Sequence, residues 1–173
     1  MGRKKLKNCI RKRAIYSGTF DPITNGHMDI LKRGLKVYDE VIIAVANSSR
    51  KQPMFNINSR LMLIQKATIG IKGVKIKPFG NLLIDFAQEE NVYSVIRGLR
   101  TTTDFEYELQ MSYANSSLNK KIDSVFLMPT LKNAFVSSSI VRELIRFNGD
   151  FKHLVPKKVY KEINKLIKQK EIK

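Results

Sequence analysis

The stretch YSGTFDPITNGH, residues 16–27, holds one of the two histidines of a 173-residue chain. It lies where an apolar run gives way to a helical pattern. Gly18 lets the backbone approach a ligand, and Thr19 offers a hydroxyl and an N–H. His27 falls in the first turn of the helix. A helix N-terminus presents unpaired N–H groups and the positive end of its dipole, which suits a phosphate. A histidine there can donate a hydrogen bond to a phosphoryl oxygen. A lone histidine beside a glycine-rich turn is more often a solvent-exposed bystander. T-x-G-H following G-T-F at this spacing is a more specific signal.

Two further segments have the same character. In VIRGLRTTTDFEYE (95–108) a strand runs into Arg97, Gly98 and Arg100, so two guanidinium groups can reach one crevice and hold phosphates bidentately. Glu108 and Asp104 follow on the next helix, where Asp104 also suits the helix start. In NAFVSSSIVRE (133–143) three serines open a helix. One hydroxyl suffices as a cap, which leaves the others and the free N–H groups as a second anion cradle. Taken singly, R-G-x-R and a serine-rich cap are weak signals. Several chemistries are excluded. The chain has no Walker A pattern, no G-x-G-x-x-G, no Cys/His nucleophile pair and no Glu-x-x-His metal pair. What remains is phosphate positioning without a covalent intermediate.

The elements that must position these residues alternate. RAIYSG (13–18), EVIIAVA (40–46), VKIKPF (74–79), VYSVI (92–96) and DSVFLM (123–128) read as strands. EVIIAVA is apolar throughout, as in a strand covered on both faces. Helices are predicted from about Gly26, over 59–68 with Asn58 or Ser59 as cap, over 82–91, and over 103–119 with Thr102 or Thr103 near its cap. A helix opening at the serines should end at Gly149 as its C-cap. A last, Lys-rich helix should begin with Pro156 at its first position. Five strand–helix alternations predict an α/β fold: a Rossmann-like, doubly wound, five-stranded parallel sheet with helices on both faces. Such sheets bind ligands beyond the carboxyl ends of their strands, where all three segments fall.

The bulk properties bound the rest. The chain suits one domain with a sizeable core, predicted over 14–173 and preceded by a flexible basic extension, 1–13. Cys9, the single cysteine, excludes an intramolecular disulfide and a multi-cysteine zinc site. The net charge of +17 resembles that of a nucleic-acid binder, but it sits at the ends. Residues 1–13 hold seven Lys/Arg and no acid. Residues 152–173 hold eight Lys and two Glu, which leaves +4 for 14–151. Solvated basic tails account for that better than a nucleic-acid surface does. The basic start lacks an apolar core of its own, so no secretory signal is expected. No apolar run is long enough to cross a bilayer. A cytoplasmic location is the expectation.

GTFDPITNGH, PMF, VIRGLR, DFEYE, SVFLMP and FVSSSIVRE together resemble the bacterial phosphopantetheine adenylyltransferases, in register from about Ala14 to beyond Pro156. T-x-G-H alone marks the wider HIGH-motif nucleotidyltransferases. The resemblance implies transfer of the adenylyl group of ATP to 4′-phosphopantetheine, giving 3′-dephospho-coenzyme A and pyrophosphate by in-line attack. It implies catalytic roles for His27, Thr19, Lys51 and Arg97. His27 would donate to the α-phosphate, and Lys51 would orient the attacking phosphate. Arg50 is a rival for that role, but counting back from PMF favours Lys51. ATP would be held by Thr19, Phe20, His27, Gly98, Leu99, Arg100, Glu108, Asn133, Ala134, Phe135, Val136, Ser137, Ser138 and Ser139. Phosphopantetheine would be held by Thr19, Lys51, Leu83 and Arg97. Mg²⁺ would bridge ATP phosphates, with no metal ligand expected from protein side chains. A homohexamer, a dimer of trimers, is the implied assembly. No membrane or specific nucleic-acid partner is expected.

Three departures stand out. Ser17 replaces the family's frequent proline, Asn133 replaces a frequent aromatic, and residues 1–13 have no counterpart. Nicotinate-mononucleotide adenylyltransferases and cytidylyltransferases share the G-T-F…G-H opening, but the cytidylyltransferases' R-T-x-G-I-S-T-T segment is missing. A class I aminoacyl-tRNA synthetase would need a K-M-S-K-S loop and a longer chain. A basic RNA-binding protein on a degenerate form of the same fold is the reading from another class.

Overall fold

The computed structural model describes residues 11–47 and 52–169. Cys9, most of the basic extension, Arg50, Lys51 and the last four residues lie outside them. Five strands form one parallel sheet: β1 (Arg13–Gly18), β2 (Glu40–Ala46), β3 (Val74–Phe79), β4 (Ser94–Gly98) and β5 (Asp123–Leu127). Their order is β3-β2-β1-β4-β5. The winding therefore reverses between β1 and β4, which pair through Ile15–Val95 and Tyr16–Ile96. The predicted sheet is the one observed. β4 begins two residues later than expected, because Val92 and Tyr93 still belong to the connection from the preceding helix.

Among the described residues six α-helices cover the sheet: α1 (Asn25–Gly34), α2 (Ile57–Thr68), α3 (Leu83–Glu90), α4 (Thr102–Leu118), α5 (Ser138–Arg146) and α6 (Lys157–Lys168). Strand alternation sends Ala14, Val41, Ile43, Val45 and Ile96 to one face. There they pack with apolar residues of α1, α2, α5 and α6. Ile15, Ile42, Ala44 and Val95 face the other side, against Phe86 and Ala87 of α3. The Lys-rich α6 is thus amphipathic, burying Val159, Ile163 and Leu166. None of the helices described is long and apolar enough to cross a membrane.

The helix ends depart from the sequence reading in detail. Asn56, not Asn58 or Ser59, caps α2, its side chain accepting the Ser59 N–H. Thr101 caps α4 by accepting from the Asp104 N–H. Asn148, with φ +54°, takes the left-handed turn after α5 that was expected of Gly149. A Cβ on Gly149 would instead meet Leu144 Cδ2 at 2.8 Å, the far end of a flexible side chain that would have to shift. Pro156 stands one position earlier than expected, as the cap of α6. At the end of the sheet opposite the carboxyl ends of the strands, buried Glu40 lies within 4.0 Å of Arg11, Arg13 and Lys75.

Candidate active site

A cleft of about 440 Å³ opens at the carboxyl ends of β1 and β4, where the winding reverses. Tyr16, Ser17 and Gly18 end β1 there, and Arg97 and Gly98 end β4. The turn after β1 contributes Thr19 and Phe20, α1 contributes Gly26 and His27, and the cap and first two residues of α5 contribute Ser137, Ser138 and Ser139.

His27 is the third residue of α1 and part of a reciprocal cap. The Thr24 hydroxyl accepts from the His27 N–H, and the His27 ring accepts at Nδ1 from the Thr24 N–H at 3.1 Å. Glutamate or glutamine usually fills the reaching-back position of such a cap. Here an imidazole fills it, with a chemical consequence. Because Nδ1 accepts a backbone N–H, the neutral ring carries its proton on Nε2. Phe20 packs edge-on against the ring, with centroids 5.0 Å apart. Burial, reinforced by Arg100, pushes the His27 pKa down to about 4. At neutral pH His27 is thus an uncharged donor. Gly26 allows the arrangement, since a Cβ there would meet the Val136 carbonyl oxygen at 3.0 Å.

Phe20 itself has φ +50°, a left-handed conformation rare for a bulky residue. Two buried charges hold the turn in that shape. Arg60, 1% exposed, donates to the carbonyls of Thr19 (2.7 Å), Ala46 (2.8 Å) and Phe55 (3.0 Å). The Asp21 carboxylate accepts the N–H groups of Met54 and Phe55, both at 2.9 Å. Arg142 of α5 donates to the Asp21 carbonyl at 2.7 Å. The sequence reading passed over these three residues. Arg60 did leave a trace there, since it lies on the apolar stripe of α2 with Leu63 and Ile64.

Both predicted arginines line the cleft, each beside a carboxylate. Arg97 Nε lies 3.1 Å from Glu108 Oε2. Arg100 grips Asp104 through Nε (3.0 Å) and Nη2 (3.1 Å). Glu108 also lines the cleft, one α4 turn from Met111. Burial pushes the Tyr16 pKa up, with Arg97 and Arg100 opposing, so its phenol stays protonated.

The serine hydroxyls are less free than expected. Ser137 caps α5 by accepting the Ile140 N–H, Ser138 donates to the Pro22 carbonyl at 2.8 Å, and Ser139 accepts from Arg142. What α5 offers an anion is its first backbone N–H groups, and the Ser138 bond joins them to the turn after β1. Leu83, the first residue of α3, lines the cleft, as does Val136. Leu99, Asn133, Ala134 and Phe135 lie outside its lining. The Asn133 amide is turned to Asp29 and Thr130, and Phe135 is exposed. Lys51 is outside the described residues. Among those described, no group of three or more His, Cys, Asp or Glu side chains could hold a metal ion.

Residues 15–144 match the family described as cytidylyltransferase-like. Phosphopantetheine adenylyltransferase of Nautilia profundicola is 50% identical over 151 residues, 87% of this chain and 98% of its own. The enzyme of the same name from Helicobacter pylori strain J99 is 51% identical over 157 residues, 91% of this chain and all of its own. That from Helicobacter hepaticus is 52% identical over 148 residues, covering 86% and 90%.

Proposed function

The chain belongs to the cytidylyltransferase-like family, among the phosphopantetheine adenylyltransferases, and from that premise we propose that it adenylylates 4′-phosphopantetheine with Mg-ATP. A phosphate oxygen of the acceptor attacks the α-phosphorus of ATP. The bond from that phosphorus to the β-phosphate oxygen breaks, and pyrophosphate leaves with the electron pair. The product is 3′-dephospho-coenzyme A, and no bond to the enzyme forms. Catalysis then rests on alignment and on stabilising charge on the phosphoryl oxygens of the transition state.

The observation that carries this reading is His27 held neutral, with its proton on Nε2, at the N-terminus of α1 in the same cleft as the α5 N-terminus. Nε2–H donates to an α-phosphate oxygen. Thr19 and Phe20 flank it, and the α5 N–H groups at Ser137–Ser139 meet the outer phosphates. Gly98, Arg100, Glu108 and Val136 complete the ATP side. Leu99, Asn133, Ala134 and Phe135 join it on the strength of the resemblance alone. Arg97 and Leu83 take the acceptor. Lys51 orients the attacking phosphate, an assignment made from its place in the sequence. Mg²⁺ arrives with ATP as part of the substrate.

The catalytic unit is one domain from about residue 14 with a basic leader, working in the cytoplasm as a homohexamer. α4 supports the assembly, since only Asn115 of its seventeen residues is buried. Pyrophosphate release from Mg-ATP with 4′-phosphopantetheine, beside nicotinate mononucleotide, tests the reaction. Turnover with phosphopantetheine alone is expected. Turnover with neither, in a folded chain that binds RNA, would replace this reading with the RNA-binding one.

A further inference from the structure

Two buried polar atoms of cleft-lining residues make no hydrogen bond among the described residues, and one of them, Glu108 Oε2, has Arg97 as its ion-pair partner. Ser17 Oγ is buried and makes no hydrogen bond among the described residues, although Ser17 lines the cleft. Ser17 is 8% exposed. Buried hydroxyls in native proteins are nearly always paired, because removing one from water without a replacement partner is costly. The oxygen itself has almost no accessible surface, so a ligand in the cleft meets it only after a change of the Ser17 rotamer.

Its position indicates which part of the ligand it meets. Side chains alternate along β1, so Ser17 faces the same side of the sheet as Ile15. Ile15 belongs to the cluster against which Phe79 and Leu83 pack. Both of those residues also line the cleft. Tyr16 and Phe20, which flank His27, belong to the opposite cluster. The cleft is therefore divided at β1. The His27 side has the helix N-terminus suited to phosphate. The Ser17 side carries the apolar Phe79 and Leu83 and, by the alternation of β4 from Val95, the Arg97–Glu108 pair, with the hydroxyl as an uncharged polar atom. That combination suits a phosphate-bearing ligand whose arm is mainly apolar and carries neutral hydrogen-bonding groups.

We propose that Ser17 Oγ hydrogen-bonds a neutral amide or hydroxyl on the arm of the phosphate-bearing acceptor, and so helps to select it. This rests on the acceptor being 4′-phosphopantetheine, whose arm carries both groups. Members of the resembled family with proline at this position have no hydroxyl there and would lack the contact.

Ser17→Ala tests it, with direct titration of 4′-phosphopantetheine and of ATP into each protein and the Tm of each without ligand. A net hydrogen bond corresponds to a loss of roughly threefold to tenfold in acceptor affinity. ATP affinity should hold, and the ligand-free Tm should not fall, since no internal bond is lost. Unchanged acceptor affinity overturns the proposal, as does an equal loss for ATP. A lower ligand-free Tm also overturns it, because the hydroxyl would then have a fixed partner in the fold. A wild-type protein that does not bind 4′-phosphopantetheine overturns the substrate reading and this contact with it. Wild-type binding matched by Ser17→Ala overturns the contact alone.

Discussion

Thr24 and His27 hold each other in place: the Thr24 N–H reaches Nδ1 of the ring at 3.1 Å, and the His27 N–H reaches the Thr24 hydroxyl at 3.3 Å. The bond that closes the first turn of α1 also fixes which ring nitrogen carries the proton. Folding and catalysis thus draw on one interaction with very different weights. His27→Ala should lower kcat on the order of a hundredfold or more, as for loss of one transition-state donor. Half of a helix cap is worth about 1 kcal/mol, so Tm should fall by only about 2–4 °C. Pyrophosphate release and a thermal melt measure both. A kcat within about fivefold of wild type would remove His27 from the proposed chemistry.

The same residue predicts a pH dependence. His27 in the folded chain titrates at about 4 instead of its ordinary 6.5, through burial and then Arg100. Between those values the unfolded chain binds the extra proton and the folded chain does not, so stability must fall as pH drops. The contribution is intact above about 6.5 and fully lost below about 4. His27→Gln keeps a side chain suited to the cap and removes the titration. Urea melts from pH 7.5 to 4 should show the gap between the two proteins shifting in favour of the glutamine variant as the medium is acidified. A constant gap would mean that the ring is not held neutral. The pH profile of kcat should likewise show no step near 6.5 that His27→Gln abolishes.

Arg60 gives a prediction in which stability and activity separate. Its guanidinium serves three carbonyls, among them that of Thr19 beside the strained Phe20. Arg60→Met would leave buried acceptors unpaired, at about 1–3 kcal/mol for each that water cannot reach. With about 2–4 °C per kcal/mol for a chain of this size, Tm should drop by roughly 5–15 °C. Assayed well below the new Tm, kcat should still fall about tenfold, because the Thr19–Phe20 turn is no longer fixed where the chemistry needs it. Wild-type kcat in the folded variant would make Arg60 a purely structural residue.

Most of the sheet was legible because its strands are uninterrupted apolar runs or strict alternations; β1, β2 and β3 match the residues read from sequence. The three segments that meet at the cleft were legible because glycine, serine and arginine gather where those strands end. What stayed hidden depends on partners distant in sequence. The place of Arg60 on the apolar stripe of α2 hints at burial, but its partners, the Thr19 and Ala46 carbonyls, are far from it in sequence. Arg97 and Glu108 are expected on different substrates, although the turn and helix between them bring them to 3.1 Å. Asn133 is expected among the ATP-holding residues, but its amide is turned to Asp29 and Thr130, outside the cleft lining. The Thr24–His27 cap could have been read, since its spacing is that of a capping box with histidine in the glutamate position.

The proposed hexamer can be tested through α4. Phe105 packs edge-on against Phe126, and Tyr107 and Met111 line the cleft. Tyr113 has no such role and is 68% exposed. An aromatic ring left in water on a helix with a single buried residue gains by burial against another copy, at roughly 25 cal/mol per Å² of apolar surface covered. Sedimentation at micromolar concentration should give a species of six 19.9 kDa chains. Tyr113→Glu would place a charge at such an interface, where leaving it unpaired is unfavourable, and should shift the distribution to smaller species. Those species should keep measurable turnover, because one chain supplies His27, Arg97, Arg100 and the α5 N-terminus to its own cleft. A wild-type chain that is monomeric at every concentration would exclude the hexamer. A Tyr113→Glu hexamer of undiminished stability would move the interface away from this face of α4.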